Sequence, residues 1–499
     1  MVFREIKGVI KHSVIYGSGS ILSKILAFAL IPLYTHYLTP AEYGILELLE
    51  LASYIIGLLL AMGLAQATTR FYFEYDDQNR RNQVIGVALI CVWTASLITV
   101  FCLSIFSKQI SLLVLKSADY SHLFRIVLFT LVFTLSNEIC LNLILIQQKS
   151  VFYTSISLSR LLVALLLNIV FIVHFRMGIQ GIIYSSLITS GGIGVFLLYR
   201  TVREVRLSFS FDIFIKMIKY SFPLIGSWLG MFVIHFGDRF LLQRLTSLTE
   251  VGIYSLAYKF GMVLNVLVLG PFMLIWSPKR FELAKQPNFN QMHNLMFTYL
   301  CFIQIFVGLG ISILIKDVLK LVTTPQFYVA YKIVPLIVLS YIFWAGYSYL
   351  QFGVLLRNKT KFLALAVALG AFLNVFANLI LIPKFRLWGA ASATLISFLF
   401  LFVFIYFISQ KLYYTPYQLS RLLKMLTAGL VLYLVASWIN LTSIYVSLMV
   451  KFGITLCFPA ILFLWRFFEP EELSRAKEII MQAFSILTSY LGLKTRQKL

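Results

Sequence analysis

The chain has 499 residues, 60% of them hydrophobic and only 12% charged, against the roughly 45–50% apolar share of soluble domains. A water-soluble fold of this length needs far more polar surface, so the composition excludes a soluble enzyme or binding module and predicts an all-α polytopic membrane protein. The formal net charge of +23, from 42 Lys+Arg against 19 Asp+Glu, is not gathered in a basic domain, which removes nucleic acid as a partner and leaves charge facing anionic membrane lipids.

The opening stretch MVFREIKGVIKHSVIYGSGS lacks the charged start, short apolar run and small-residue cleavage site of a signal peptide, so the first span is expected to stay in the mature protein. Apolar runs of about 20 residues predict spans near 13–37, 45–67, 84–106, 123–147, 151–174, 181–199 and 222–243. They continue near 251–276, 293–315, 335–356, 361–383, 389–409, 424–440 and 444–466, which makes fourteen. An even number puts both termini on one side. Segments on that side hold 27 of the Lys+Arg and the opposite segments nine, so the termini are expected in the cytoplasm. Cys91, Cys102, Cys140, Cys301 and Cys457 all fall within apolar runs without CxxC pairing, which argues against a disulfide framework and a metal site.

The chain repeats itself. At an offset of 208, LTPAEYGILEL meets TSLTEVGIYSL, aligning Glu42 with Glu250, Gly44 with Gly252 and Ile45 with Ile253. At an offset of 210, residues 149–176 lie without gaps on 359–386, matching Lys149, Asn168 and Arg176 to their counterparts. Six helices per copy is an even number, so both copies enter the membrane from the same side and form parallel lobes. The expected organisation is an N-lobe at 1–205, a C-lobe at 206–415, two further helices at 416–466 and a cytoplasmic amphipathic tail at 467–499. The linker 199–221 joins the lobes and is expected on the membrane surface. The tail places Leu473, Ala476, Ile480, Phe484, Leu487 and Leu491 at helical spacing.

Three stretches carry a resemblance: GSGSILSKILAFALIPLYTHYLTPAEYGILELLE, the TTRFYFEYDD that follows the second span, and GDRFLLQRLTSLTEVGIYSLAYKFG. Together they resemble the polysaccharide-transport branch of the multidrug/oligosaccharidyl-lipid/polysaccharide exporter superfamily, the oligosaccharide flippases. The resemblance implies a plan of six, six and two helices and alternating access around a cationic cavity. It also implies that a polyprenyl-pyrophosphate-linked oligosaccharide moves from the inner to the outer leaflet of a bacterial inner membrane, for surface polysaccharide biosynthesis. Polysaccharide polymerase machinery is the protein partner it implies.

Ionisable groups inside a membrane are costly and by default face an interior or a cavity. His235, Asp238 and Arg239 share one face of the seventh span, Lys24 lies on a polar stripe of the first, Arg160 in the fifth and Lys259 in the eighth. One reading makes Lys24, Arg160, Arg239 and Lys259 the cationic lining for a pyrophosphate, with Asp238 holding Arg239 in place. The other pairs Asp238 or Glu50 with Arg239 or Lys259 as bridges between lobes. Glu47, Glu50 and Glu138 are candidates for a coupling proton or sodium ion, or for salt-bridge partners. The sequence NLT at 440–442 fits a glycosylation acceptor.

The sequence has neither a GxxxxGK[ST] phosphate loop nor a nucleophile with its base, so the expectation is a transporter, not an enzyme, without cofactor or metal. Two alternatives stand beside the oligosaccharide flippase. One is a multidrug or other small-molecule antiporter of the same superfamily, which predicts an acidic cavity. The other is a flippase for the peptidoglycan lipid precursor.

Overall fold

A computed structural model describes residues 28–439, 441–470, 472 and 474. Every regular element among them is helical, and thirteen helices are long and apolar enough to cross a membrane. The first seven in chain order are α1 (Pro40–Glu74), α2 (Gln78–Ile105), α3 (Ser121–Ile146), α4 (Ser150–His174), α5 (Gly178–Val205), α6 (Phe211–Leu245) and α7 (Leu248–Leu283). The remaining six are α8 (Phe289–Val322), α9 (Val334–Leu356), α10 (Lys361–Phe385), α11 (Leu387–Leu412), α12 (Leu419–Trp438) and α13 (Ile444–Leu464). They coincide one for one with the second to fourteenth predicted spans. The first predicted span lies mostly outside the described residues, which reach its end as a short helix at Leu30–Tyr37. Lys24, Asn440 and nearly all of the predicted amphipathic tail also lie outside them.

The duplication seen in the sequence recurs in backbone detail that hydropathy does not encode. Thr39 caps α1: its hydroxyl accepts from the Glu42 amide, while the Glu42 carboxylate accepts from the Thr39 amide at 2.8 Å. At the position 208 residues on, Ser247 caps α7 by accepting from the Glu250 amide. In the other register, Gln148 and Asn358 both adopt positive φ, at 57° and 54°, and so do Arg176 and Arg386, at 53° and 51°. The packing repeats too. α3 and α4 lie on α5 as α9 and α10 lie on α11. Among the described residues the helices follow this duplicated plan, α1–α5 answering to α7–α11, with α12 and α13 after the repeat.

Two departures from the sequence reading concern the lobes' edges. The linker expected over 199–221 shortens to Arg206–Ser210, because α5 runs on to Val205 and α6 already begins at Phe211. And α1 is not one continuous helix. It breaks at Met62 and Gly63, both in the left-handed region at φ 44° and 66°. A side chain on Gly63 would also meet Trp228 and Ser221 of α6 at about 3 Å, so glycine is needed here for conformation and for space. The equivalent point of α7 is distorted as well, by a π-turn at Asn265–Leu269 followed by Gly270 and Pro271.

The chain divides into two compact units. The first runs to Gln286 and resumes over Ile315–Tyr414. The second joins Pro287–Leu314 to the residues from Thr415 onward. Inside the second, Phe302 and Phe306 pack on Phe458 at ring separations of 5.7 and 6.1 Å. The buried Arg421 grips the start of the tail there, with Nη2 2.6 Å from the Glu472 carboxylate and its guanidinium 4.4 Å from the Phe467 ring.

Candidate functional site

Within the first unit the two lobes meet along α1 and α7 through the glycines that the repeat aligns. A methyl group on Gly44 would overlap the carbonyl oxygen of Leu248, and one on Gly252 would overlap that of Pro40. Just beyond this seam Lys259 of α7 forms an ion pair with Glu47 of α1 and donates to the Tyr43 hydroxyl at 2.9 Å. Glu47 is only 7% exposed. Lys259 is thus engaged by the opposite lobe.

Farther along α1, beside its break, the first unit contains a cavity of about 530 Å³. Glu50, Ser53, Tyr54 and Gln66 face it from α1, and Thr134 and Glu138 from α3. Trp228, Phe232, His235 and Phe236 close it from α6, so both lobes contribute to the wall. Tyr54 stands 54% exposed, stacked on Phe232 at 5.9 Å. Among the described lining residues the charges are the two carboxylates of Glu50 and Glu138, and no Lys or Arg is present. Neither carboxylate makes a hydrogen bond or ion pair among the described residues. Glu50 lies in the field of Lys259, and Glu138 in that of the half-buried Arg160.

Asp238 and Arg239 sit elsewhere. They are 0% and 3% exposed, inside the packing of α6, α7 and α11. Arg239 donates from Nη1 to Asp238 Oδ1 at 2.7 Å and to the His235 carbonyl at 2.5 Å. Its guanidinium lies 3.9 Å from the Tyr258 ring centroid. Tyr254 donates to the other Asp238 oxygen at 2.5 Å, and Thr394 of α11 does so at 3.2 Å. The His235 ring contacts Trp344 and Phe398. The pair predicted from the sequence therefore forms, but it joins helices of one lobe, and Arg239 does not reach the cavity. The cationic lining expected from Arg160, Arg239 and Lys259 is accordingly not what the described wall shows.

Sequence reasoning named Glu50, Glu138 and His235 but passed over Thr134, Gln66 and Trp228. The signal was there: Thr134 stands one turn before Glu138, and Trp228, Phe232 and His235 fall at i, i+4 and i+7 along α6. No cluster of three or more His, Cys, Asp or Glu able to hold a metal occurs among the described residues.

The sequence pattern of the family described as "Polysaccharide biosynthesis protein" matches residues 9–284, more than half of the chain. The chain belongs to that family. Its fold is shared with a solved structure titled "Lipid II flippase MurJ, inward closed conformation", with a TM-score of 0.73 and 16% identity, covering 90% of this chain and 99% of that one. It is also shared with an inward-facing multidrug resistance MATE family transporter of the MOP superfamily, at TM-score 0.65 and 14% identity, over 83% and 99%. An outward-facing MATE family structure matches at 0.53 and 15% identity, over 84% and 96%. No curated protein sequence matches significantly.

Proposed function

We propose that this protein flips a polyprenyl-pyrophosphate-linked oligosaccharide from the inner to the outer leaflet of a bacterial inner membrane, by alternating access of its two lobes. The observation that carries the reading is the position of the cavity. It is walled by α1, α3 and α6, drawn from both lobes, and lies beyond an end of α1 and α7 that is sealed by backbone contact at Gly44 and Gly252. With both termini in the cytoplasm, the sealed end faces outward and the cavity lies toward the side where the lipid-linked substrate is made. The higher TM-score to the inward-facing MATE structure supports the same state. Family membership supports the substrate class.

In this reading the basic residues divide by environment. Arg239 with Asp238, and Lys259 with Glu47, hold helices together. Arg160, which is not among the described residues of the cavity wall, and Lys24 on the first span are left to meet the pyrophosphate. Deleting the gene should leave lipid-linked oligosaccharide in the inner leaflet and reduce surface polysaccharide. Reporter fusions after Ser208 and after Arg466 should both report cytoplasm.

One observation favours a second reading, an antiporter for small cations: the described cavity wall carries Glu50 and Glu138 and no basic residue. Unchanged surface glycan in the deletion strain, together with new sensitivity to cationic drugs, would select it.

A further inference from the structure

The cavity wall is chemically lopsided, and its composition identifies which part of the substrate it takes. A pyrophosphate would meet two carboxylates and no described cation, an arrangement that like-charge repulsion disfavours. The geometry points to a glycan subsite: a place where one or two uncharged sugar rings are held while the pyrophosphate is bound elsewhere. This rests on the flippase reading given above.

Three features support it together. Glu50 and Glu138 are exposed to the cavity and make no hydrogen bond among the described residues, and a carboxyl group can hydrogen-bond a sugar hydroxyl. Each also lies in the field of a cation that is not among the described lining residues, Lys259 for Glu50 and Arg160 for Glu138. That background charge offsets their attraction for a cationic guest. Secondly, the break in α1 brings Gly63 to the cavity wall, and the helix resumes at Leu64, where the first-turn N–H groups of a helix lack an intrahelical partner. Each sugar hydroxyl both donates and accepts, so it can use either kind of group. Thirdly, Trp228 and the exposed Tyr54 supply flat apolar faces on which the C–H side of a sugar ring can lie. The volume of about 530 Å³ is that of a small-ligand pocket and too small for a long glycan, which places only the terminal or first rings inside.

The test is a binding competition on the full chain in lipid nanodiscs, read by native mass spectrometry. Three probes are used: sugar-free polyprenyl pyrophosphate, the glycolipid fraction extracted from cells lacking the gene, and tetraphenylphosphonium. The wild type should bind the glycolipid about tenfold more tightly than the sugar-free lipid, as expected for a few added hydrogen bonds to charged acceptors. The double variant Glu50→Gln, Glu138→Gln and the single variant Trp228→Ala should each lose that preference. Both should keep the wild-type affinity for the sugar-free lipid, which also shows that they are folded. Equal wild-type binding of the two lipids overturns the subsite, as does loss of sugar-free binding in a variant that remains monodisperse. Loss of tetraphenylphosphonium binding in the glutamine variant, with the glycolipid preference intact, overturns it as well. If no glycolipid accumulates and neither lipid binds, the flippase reading itself fails and the subsite falls with it.

Discussion

Replacing Arg239 by alanine removes the cationic partner at 2.7 Å from a carboxylate that is 0% exposed. Asp238 keeps two neutral donors, the Tyr254 hydroxyl at 2.5 Å and Thr394 at 3.2 Å, which do not replace a charge. The single variant should lose about 3–5 kcal/mol, the cost of leaving one member of a buried pair alone. In the double variant Asp238→Leu, Arg239→Met no charge remains, and the Tyr254 hydroxyl still has Thr394 at 3.3 Å. Its cost should be about 1–2 kcal/mol, the range for a weakened buried hydrogen bond. The double variant should thus be more stable than the single. Arg239→Lys should fall between them, because it keeps the charge but loses the planar stack on Tyr258. The assay is the unfolding midpoint in detergent, followed by the fluorescent protein peak on size exclusion, with surface polysaccharide measured in the same cells. A double variant no more stable than Arg239→Ala would refute the packing role. So would a stable double variant that transports nothing, since Arg239 would then be acting on substrate.

Gly44→Leu should wedge the α1–α7 seam, because even the first carbon would overlap the Leu248 carbonyl. Protein should still reach the membrane but lose function, with lipid-linked intermediate accumulating as in the deletion strain. Lys259→Met should strand the 7% exposed Glu47, and adding Glu47→Leu should restore much of the lost expression, read as detergent-stable protein. Glu472 answers to pH. Burial pushes its carboxyl up, but the hydrogen bond from Arg421 and that from the Glu469 amide outweigh it and hold it below the usual carboxylate range. The stabilisation it adds to the second unit is present above the ordinary carboxylate value of about 4.3 and is lost as pH falls through the lower, folded-state value. Proteolysis near Glu469 should accelerate across that acidic window, and Glu472→Gln should abolish the pH dependence.

The membrane architecture was legible because it is written in run length: about 20 apolar residues per crossing fixes where a helix must exist. The duplication was legible at Gly44, Gly252 and Arg176, residues whose backbone roles leave little room for substitution. What hydropathy does not carry is rotation about the helix axis. Arg239 and Glu50 read alike, as charges in apolar runs, yet one turns into the packing and the other into the cavity. The deciding partner of Asp238 beyond its own neighbourhood is Thr394, 156 residues away, and a hydroxyl in an apolar helix gives no sign of which helix it will face. The break in α1 was missed for a related reason. Met62 and Gly63 sit in the middle of an apolar run, and a single glycine there is compatible with an unbroken helix.

The seam between α1 and α7 has a geometric consequence. Gly44 approaches Leu248 while Gly252 approaches Pro40, and each of these residues is its partner's counterpart 208 positions away. A surface that meets its own copy in this reciprocal way is the signature of a two-fold dimer, in which residue i touches j and j touches i. The pseudo-symmetry axis therefore passes between these two glycines. A change fixed in the ancestral half would have struck the contact twice. Once the halves were joined in one polypeptide, each side became free to vary alone, and Glu47 and Lys259 show such divergence: one lobe supplies the acid, the other the base, and neither is repeated at its counterpart, Ser255 or Leu51.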